Sequence, residues 1–251
     1  KSKFILQCLS DIFESYEQVN TNHKLITDHI KNKIKNNYLK SKIQRWEVPY
    51  LIKCHSTDQF VFNFCLDSWR AMKYIDNTLS FDVLEDNKMS FQAGLGLAKF
   101  HRMCSDIDLI KLENTIKDFH NTNHYIDQFF NITKDINFVR LNYNVKKRVQ
   151  NLVFNLSNHI SYVESLLGYL KTKSIQSSLI HGDPKLSNFL FDIEYKYVVS
   201  LIDLDTVSSG YLLTDIADSI RSICNLAGED PDHIENVYFD INCCKYFLKG
   251  Y

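Results

Sequence analysis

Glycine and proline are scarce in this chain, whose 251 residues include only 7 glycines and 3 prolines. Because both residues mark turns and loops, their scarcity favours a largely helical chain. The sequence contains no internal repeat and no low-complexity tract. A G-x-G pattern at Gly94 and Gly96 lies inside a helical pattern, where it indicates close helix packing rather than a phosphate-binding loop.

Strong charge and long apolar runs are also lacking. The formal net charge is −1 and the basic residues are scattered, so we expect no surface for nucleic acid or anionic lipid. No apolar run approaches the roughly 18 residues that span a bilayer, and no signal-peptide pattern is present. The composition is that of a globular chain with one large domain or two small ones.

The seven cysteines form no C-x-x-C pair, and Cys243 and Cys244 are adjacent. An odd number with this spacing does not suit a disulfide framework. Reduced thiols and a cytoplasmic location are therefore expected.

The most informative stretch is Leu179 to Thr206. Two short apolar runs, 179–180 and 189–191, bracket a polar loop, and a third run covers 198–202. Short apolar runs bounded by polar residues predict small buried strands. The polar residues of this stretch are His181, Asp183, Lys185, Asn188, Asp203 and Asp205.

The order H-x-D-x-x-x-x-N, followed by an aspartate after the next strand, resembles the catalytic loop of kinases. The resemblance implies that Asp183 accepts the proton of an attacking hydroxyl. It also implies that Asn188 and Asp203 hold Mg²⁺, an ion that prefers oxygen ligands. Lys185 would stabilise charge on the transferred phosphoryl group. An ordinary hairpin with a polar turn is the alternative, but the flanking strands and the correctly spaced Asp203 favour a kinase.

Two further positions of this stretch have expected roles. His181 would hold the loop in place rather than act as a base. Asp205 is either a second metal ligand or a solvated neighbour of the first.

The form H-G-D, in place of H-R-D, resembles the aminoglycoside phosphotransferase and choline kinase family, which phosphorylates small molecules. Asp215, in T-D-I-A-D, matches the aspartate that braces the catalytic loop in that family. Within the family the sequence most resembles bacterial N-acetylhexosamine 1-kinases. Besides the two motifs above, the matching segments are F-I-L-Q (4–7), S-W-R-A-M-K-Y-I-D (68–76), K-D-F-H-N-T (117–122) and D-I-A-D-S-I-R (215–221).

A small lobe is predicted at the beginning of the chain. Its pattern indicates a strand at 1–9, a helix at 14–35, strands at 46–54, 59–65 and 68–76 with Asp-Ser as the turn between the last two, and a hinge at 73–80. The resemblance places Gln7 where a Lys or Arg usually pairs with the nucleotide phosphates. It also places the backbone of Met72, Lys73 and Tyr74 against the adenine. The phosphate-covering hairpin of the family is not present, so we expect the sequence to lack the true N terminus.

Helices predominate in the rest of the chain. A buried helix is predicted at 85–104, a central core helix at 141–170, another helix at 215–227, and the start of a last one at 237, which the sequence leaves incomplete. Arg221 is expected either to pair with Asp218, three residues earlier, or to face the acceptor.

The segment K-D-F-H-N-T is the other polar cluster of note. Its resemblance to the sugar-kinase motif implies that Asp118, His120 and Asn121 approach the acceptor. A helix cap and loop is the alternative, because Asp and Asn favour both.

These observations predict an α+β, protein-kinase-like two-lobed fold, with a small β-sheet lobe at 1–76 and a mostly helical lobe at 77–251. The expected activity is ATP- and Mg²⁺-dependent transfer of a phosphoryl group to a small molecule, the anomeric hydroxyl of an N-acetylhexosamine first of all. Choline, an aminoglycoside or homoserine are alternative acceptors. A non-catalytic nucleotide-binding pseudokinase is the alternative from another class, favoured by Gln7 and by a first helix without a central glutamate.

Overall fold

The computed structural model describes residues 3–36, 45–55, 57–135, 141–172, 175–194 and 196–251. It divides into two compact units, Lys1–Lys117 with Ser177–Tyr251, and Asp118–Gln176. The predicted lobe boundary at 76/77 falls inside the first unit, so the division into lobes at that position stays a prediction.

The first unit begins with a four-stranded antiparallel sheet. Its strands are β1 (Phe4–Cys8), β2 (Leu51–Ile52), β3 (Val61–Phe64) and β4 (Asp67–Lys73). β4 is central, with β1 on one edge and both β2 and β3 on the other. In the β1–β4 register Gln7 lies directly opposite Arg70.

Two details of this sheet differ from the sequence prediction. The predicted strand at 46–54 is reduced to β2, because Glu47 donates its backbone N–H to Val199 instead of to a sheet neighbour. The Asp-Ser turn is wrong, since Asp67 and Ser68 begin β4. The chain turns two residues earlier, at Cys65, whose φ of 57° is left-handed.

Helix α1 (Tyr16–Lys35) follows β1 in the chain, and it confirms the predicted amphipathic helix. Ser15 caps its first turn by accepting a hydrogen bond from the backbone N–H of Gln18. The helix buries apolar side chains at three- and four-residue steps, among them Val19, Ile26 and Ile30.

The described remainder of the first unit contains two small sheets and three α-helices, besides short 3-10 turns. β5 (Thr78–Leu79), β7 (Phe189–Asp192) and β8 (Val198–Leu201) form one sheet, and β6 (Ser178–Ile180) pairs with β9 (Ser208–Gly210). The helices are α2 (Asn87–Cys104), α5 (Leu212–Ile223) and α6 (Ile241–Gly250). Side chains of α2, β7, β8 and α6 form the main hydrophobic core.

Glycine allows α2 and α6 to approach closely. A Cβ atom at Gly94 would overlap the Phe247 carbonyl oxygen, and one at Gly250 would overlap that of Phe91. The interpretation of Gly94 and Gly96 as packing residues is confirmed, because a Cβ at Gly96 would likewise press into the Val198 side chain.

The second unit consists of α3 (Thr122–Asp135) and α4 (Tyr143–Thr172). The predicted helix at 141–170 is confirmed by α4, but its interpretation as a core helix is wrong. Only Leu170 of α4 is buried, whereas Leu152 and Leu156 are more than half exposed. No helix within the described ranges is long and apolar enough to cross a membrane.

Candidate active site

The loop between β6 and β7 brings three of the predicted side chains together. The Asp183 carboxylate lies 3.1 Å from Lys185 Nζ. Asn188 donates its side-chain amide to the Asp183 carbonyl, at 2.7 Å, and that amide lies 3.4 Å from Asp183 Oδ2. Because its nitrogen points at the loop, Asn188 keeps Oδ1 as an acceptor without a hydrogen-bond partner among the described residues.

Asp215, on α5, holds the beginning of this loop. Its fully buried carboxylate accepts the backbone N–H of His181 at 2.6 Å and that of Gly182 at 2.9 Å. Its Oδ2 also lies 2.8 Å from His101 Nε2, and His101 Nδ1 lies 2.9 Å from the Tyr251 hydroxyl. The start of the loop is therefore tied to α2, α5 and the end of α6 through one carboxylate.

The His181 side chain connects the loop to the strand that precedes Asp203. Nε2 lies 2.9 Å from the Ile202 carbonyl oxygen, so it carries the proton, and Nδ1 accepts the Asp183 backbone N–H at 3.3 Å. With both ring nitrogens engaged in this way, the buried ring orders the loop.

Gly182 is required by the same turn. Its φ is +87°, and a Cβ atom there would overlap the Thr206 carbonyl oxygen. This explains in steric terms why glycine stands between His181 and Asp183.

Asp203 follows β8 in a left-handed conformation, with φ 62° and ψ 60°. The preceding residue, Ile202, donates its backbone N–H to the Asn188 carbonyl at 2.9 Å, which joins the two predicted metal ligands through the backbone. Burial raises the pKa of Asp203, and the neighbouring carboxylates of Asp205 and Asp183 raise it further. A cation beside Asp203 would relieve this electrostatic cost.

The structure contradicts one of the two expectations for Asp205. It is buried, not solvated, and its carboxylate forms an ion pair with the fully buried Arg70. Burial alone would raise the pKa of Asp205, but the nearby His23 ring and the Arg70 guanidinium hold it below its ordinary value. The pairing with Arg70 engages Oδ1, and a metal-binding role for Asp205 stays a prediction.

A cleft of about 550 Å³ opens beside Asn188 and Asp203. Gln7 of β1 and the segment Met72–Tyr74 line it, together with the apolar side chains of Leu190 and Ile202. The predicted nucleotide-contacting residues therefore share one cavity with the predicted metal ligands. Another cavity, of about 610 Å³ between α1 and β3, contains none of the predicted site residues.

The oxygen set fits a magnesium ion bound together with a nucleotide. Within the described residues, no three His, Cys, Asp or Glu side chains converge as a metal site of their own. Mg²⁺ usually takes one or two protein oxygens and completes its shell with phosphates and water. Asn188 and Asp203, at the edge of the cleft, offer such a partial set.

The residues predicted to bind the acceptor belong to both units. Arg221 forms ion pairs with Asp218, at 2.8 Å, and with Glu229, at 3.2 Å. Of the two expectations for Arg221, its position agrees with the one that pairs it with Asp218. Asp118, His120 and Asn121 belong to the second unit. There Asn121 bonds Asp118 and accepts the backbone N–H of His124, as a cap of α3.

Sequence reasoning missed three residues of the site's support: Arg70, His101 and Tyr251. His101 continues the buried stripe of Ala93 and Leu97 on α2 at steps of four, and a polar residue on such a stripe signals a buried partner. Arg70 and Tyr251 gave no comparable local signal.

A family model described as "Phosphotransferase enzyme family" matches residues 60–239. Solved structures are similar over most or all of the chain. An aminoglycoside phosphotransferase from Alicyclobacillus acidocaldarius is 13% identical with a TM-score of 0.54, over 86% of this chain and 60% of the other. An ethanolamine kinase from Plasmodium vivax is 20% identical with a TM-score of 0.54, over 100% of this chain and 61% of the other. An amicoumacin kinase in complex with AMP-PNP and Ca²⁺ is 13% identical with a TM-score of 0.53, over 100% and 66%.

These similarities confirm the predicted fold class. The small antiparallel sheet and the helical portion match the kinase-like fold of the phosphotransferases. The chain spans about three fifths of the length of the first of these structures.

Proposed function

Because the chain belongs to the phosphotransferase enzyme family, we propose that it transfers the γ-phosphoryl group of ATP to a hydroxyl group of a small molecule. The observation that carries this proposal is the juxtaposition of Asp183, Asn188 and Asp203 beside a cleft that Gln7 and Met72–Tyr74 line. A cleft of this kind, with few polar groups converging on an apolar pocket, is the usual form of a nucleotide site.

Asp183 would be the general base. The acceptor oxygen attacks the γ-phosphorus, and its proton passes to the Asp183 carboxylate. The bond between the γ-phosphorus and the β–γ bridging oxygen breaks, and ADP leaves with the electron pair of that bond. Lys185, 3.1 Å from that carboxylate, lies where its ammonium group can also stabilise negative charge on the transferred group. Lys185 is suited to this, because the bond to Asp183 and the charges of Asp183 and Asp203 raise its pKa despite the opposing effect of burial.

Asn188 and Asp203 would hold Mg²⁺. When bound, the ion would neutralise charge on the β- and γ-phosphates. The hydrogen bond from the Asn188 amide nitrogen to Asp183 leaves the amide oxygen for this purpose.

For the acceptor we propose a neutral sugar, an N-acetylhexosamine phosphorylated at its anomeric hydroxyl. The sequence resemblance suggests it, and the electrostatics of α5 support it. Asp218 and Glu229 are both paired with Arg221, and Ser219, next to Asp218, bonds the catalytic loop at the Pro184 carbonyl. Acidic groups that are already paired are poorly suited to attract a cationic acceptor such as choline or an aminoglycoside.

Two further parts of the proposal concern the acceptor contacts and the location of the protein. Asp118, His120 and Asn121 remain candidates for acceptor contacts through the sugar-kinase motif alone. A cytoplasmic location is supported by the seven cysteines, none of which forms a disulfide in the part of the chain that the structure describes.

The test is ADP release by the full-length protein with ATP, Mg²⁺ and a panel of N-acetylhexosamines, other sugars, choline, ethanolamine and aminoglycosides. We expect release with an N-acetylhexosamine and a loss of kcat by about three orders of magnitude in Asp183→Asn. Asp82→Asn, which changes an exposed aspartate of the same unit, is the matched control and should keep the wild-type rate.

Other outcomes have defined meanings. Release with a different panel member would retain the mechanism and replace the acceptor. An unchanged rate in Asp183→Asn would refute its role as base. ATP binding without any turnover would favour the non-catalytic alternative, for which Gln7 in place of a basic residue is the supporting observation.

A further inference from the structure

Arg70, in the middle of β4, is fully buried. Arginine is almost never fully buried unless its charge is paired, and here each of the three guanidinium nitrogens has an acceptor. Nε and Nη2 donate to Gln7 Oε1 at 3.0 and 2.7 Å, Nη1 donates to Asn20 Oδ1 at 3.2 Å, and Nη2 also meets the Asp205 carboxylate. The Arg70 guanidinium thus places a positive charge directly behind the cleft, although the residue at position 7 is itself neutral.

The two bonds to Gln7 fix the orientation of its side-chain amide. A guanidinium has only donors, so the Gln7 atom that faces it must be the oxygen. Nε2 then points away from Arg70, and it has no hydrogen-bond partner among the described residues. Since Gln7 lines the cleft together with Asn188 and Asp203, its N–H groups are the part of the side chain left to meet a ligand there.

We propose that Arg70 is a positioning residue for the nucleotide phosphates: it acts through Gln7, whose amide it turns so that Nε2 donates to a phosphate oxygen. The inference rests on the proposed function, because it assumes a nucleotide in this cleft. The guanidinium also polarises the amide, which strengthens Nε2–H as a donor.

The surroundings of Arg70 keep this arrangement rigid. Gln7 and Arg70 are opposite each other in the β1–β4 register, so the backbone already places the two side chains face to face. Asn20 is itself anchored, through its Nδ2, to the Tyr16 carbonyl at 2.7 Å. Asp205 balances the charge, with His23 Nδ1 at 3.9 Å from the same carboxylate oxygen. Asp205 lies two residues beyond Asp203. The network therefore extends from Gln7, the proposed hydrogen-bond donor to the phosphates, to the turn that contains the proposed metal ligand Asp203.

The decisive variant is Gln7→Glu. A glutamate retains the oxygen that accepts from Arg70, so the fold is kept, but it replaces the outward N–H donors by an anionic oxygen. We expect an unchanged or higher melting temperature without ligand. We also expect an unchanged dissociation constant for adenosine, and a dissociation constant for Mg²⁺·ATP raised about ten- to hundredfold. All three quantities are measured on the full chain by calorimetry.

Two companion variants complete the experiment. Arg70→Lys keeps the charge but not the bidentate fork, so ATP binding should weaken while adenosine binding does not. Gln59→Glu makes the same charge change on an exposed residue that lines the other cavity, and should leave both ligands unaffected.

The contrary outcomes are equally specific. If Gln7→Glu is folded and binds ATP as the wild type does, the pair is merely structural and the proposal is wrong. A parallel loss of adenosine and ATP binding also overturns it, because the effect is then not on the phosphates. If the wild-type protein binds ATP but never turns it over, only the catalytic part of the proposed function fails. If it binds neither ligand, the nucleotide site and this inference fail together.

Discussion

The buried carboxylate of Asp215 offers the sharpest test of how the loop between β6 and β7 is held. It accepts hydrogen bonds from the backbone N–H groups of His181 and Gly182 and from the His101 ring, at 2.6, 2.9 and 2.8 Å. The substitution Asp215→Asn conserves size and shape, but it replaces one acceptor oxygen by an NH₂ group. At least one of the three donors must then face another donor.

The expected loss in the free energy of unfolding depends on which carboxylate oxygen of Asp215 the NH₂ group replaces. The less costly orientation keeps the amide oxygen in the place of Oδ2, which serves two donors, and turns NH₂ towards Gly182. One hydrogen bond to a charged acceptor is lost and a buried N–H is left unpaired, for a total of about 3 kcal/mol. In a chain of this size each kcal/mol corresponds to roughly 2–4 °C, so the melting temperature should fall by about 6–12 °C.

The measurement is thermal and urea unfolding, with Asp218→Asn as the matched control. Asp218 lies one turn further along α5, and its partly exposed ion pair with Arg221 should be worth at most about 1 kcal/mol. The value of kcat should also fall in Asp215→Asn, because the loop that carries the proposed base, Asp183, is displaced. If the two variants lose the same stability, Asp215 does not hold the loop as described.

Three further predictions concern packing, the metal site and the acceptor. Gly94→Ala should lower the free energy of unfolding by about 2 kcal/mol, measured by urea unfolding, because the added Cβ overlaps the backbone of Phe247. The control is Gly168→Ala, where a Cβ meets nothing within 4 Å. This control should be neutral or stabilising. Asp203→Asn should abolish turnover but raise the ligand-free melting temperature at pH 8. The folded state raises the pKa of Asp203, so its ionised form costs stability above that pKa, and the gain should vanish as the pH falls below the unfolded-state pKa. Arg221→Gln frees its two carboxylate partners, and should raise kcat/KM for cationic acceptors relative to neutral sugars; an unchanged ratio would place the acceptor away from Arg221.

The long helices were predictable because the residues that define them lie close together in the sequence. Residues at three- and four-residue steps define α1 and α2 as amphipathic or buried helices, and the structure confirms both. The polar loop of the candidate site was equally predictable, since its residues lie within one short stretch between strands. The positions of Asp183, Asn188 and Asp203 beside one cleft follow from that short stretch.

Other features depend on information that a local pattern lacks. Periodicity predicted that α4 is a helix but not that it would bury only Leu170. An apolar stripe defines a face without specifying what covers it. The turn before β4 was predicted at the wrong position because Asp and Ser favour turns. The observed turn has Cys65 in the left-handed conformation, which residues other than glycine, asparagine and aspartate adopt rarely.

The network around Arg70 shows the same limit at the site itself. Gln7 and Arg70 are separated by 63 positions in the sequence, and Arg70 and Asp205 by 135, so no spacing rule connects them. Read one residue at a time, Gln7 suggests a missing charge and Asp205 a metal ligand. The two interpretations change together once Arg70 is placed between them, because the guanidinium supplies the charge and engages the carboxylate. On the proposal above, the nucleotide site retains a basic group, Arg70, while Gln7, the residue that would donate to the phosphates, is neutral. The absence of a lysine at position 7 is then not an argument against catalysis in this chain.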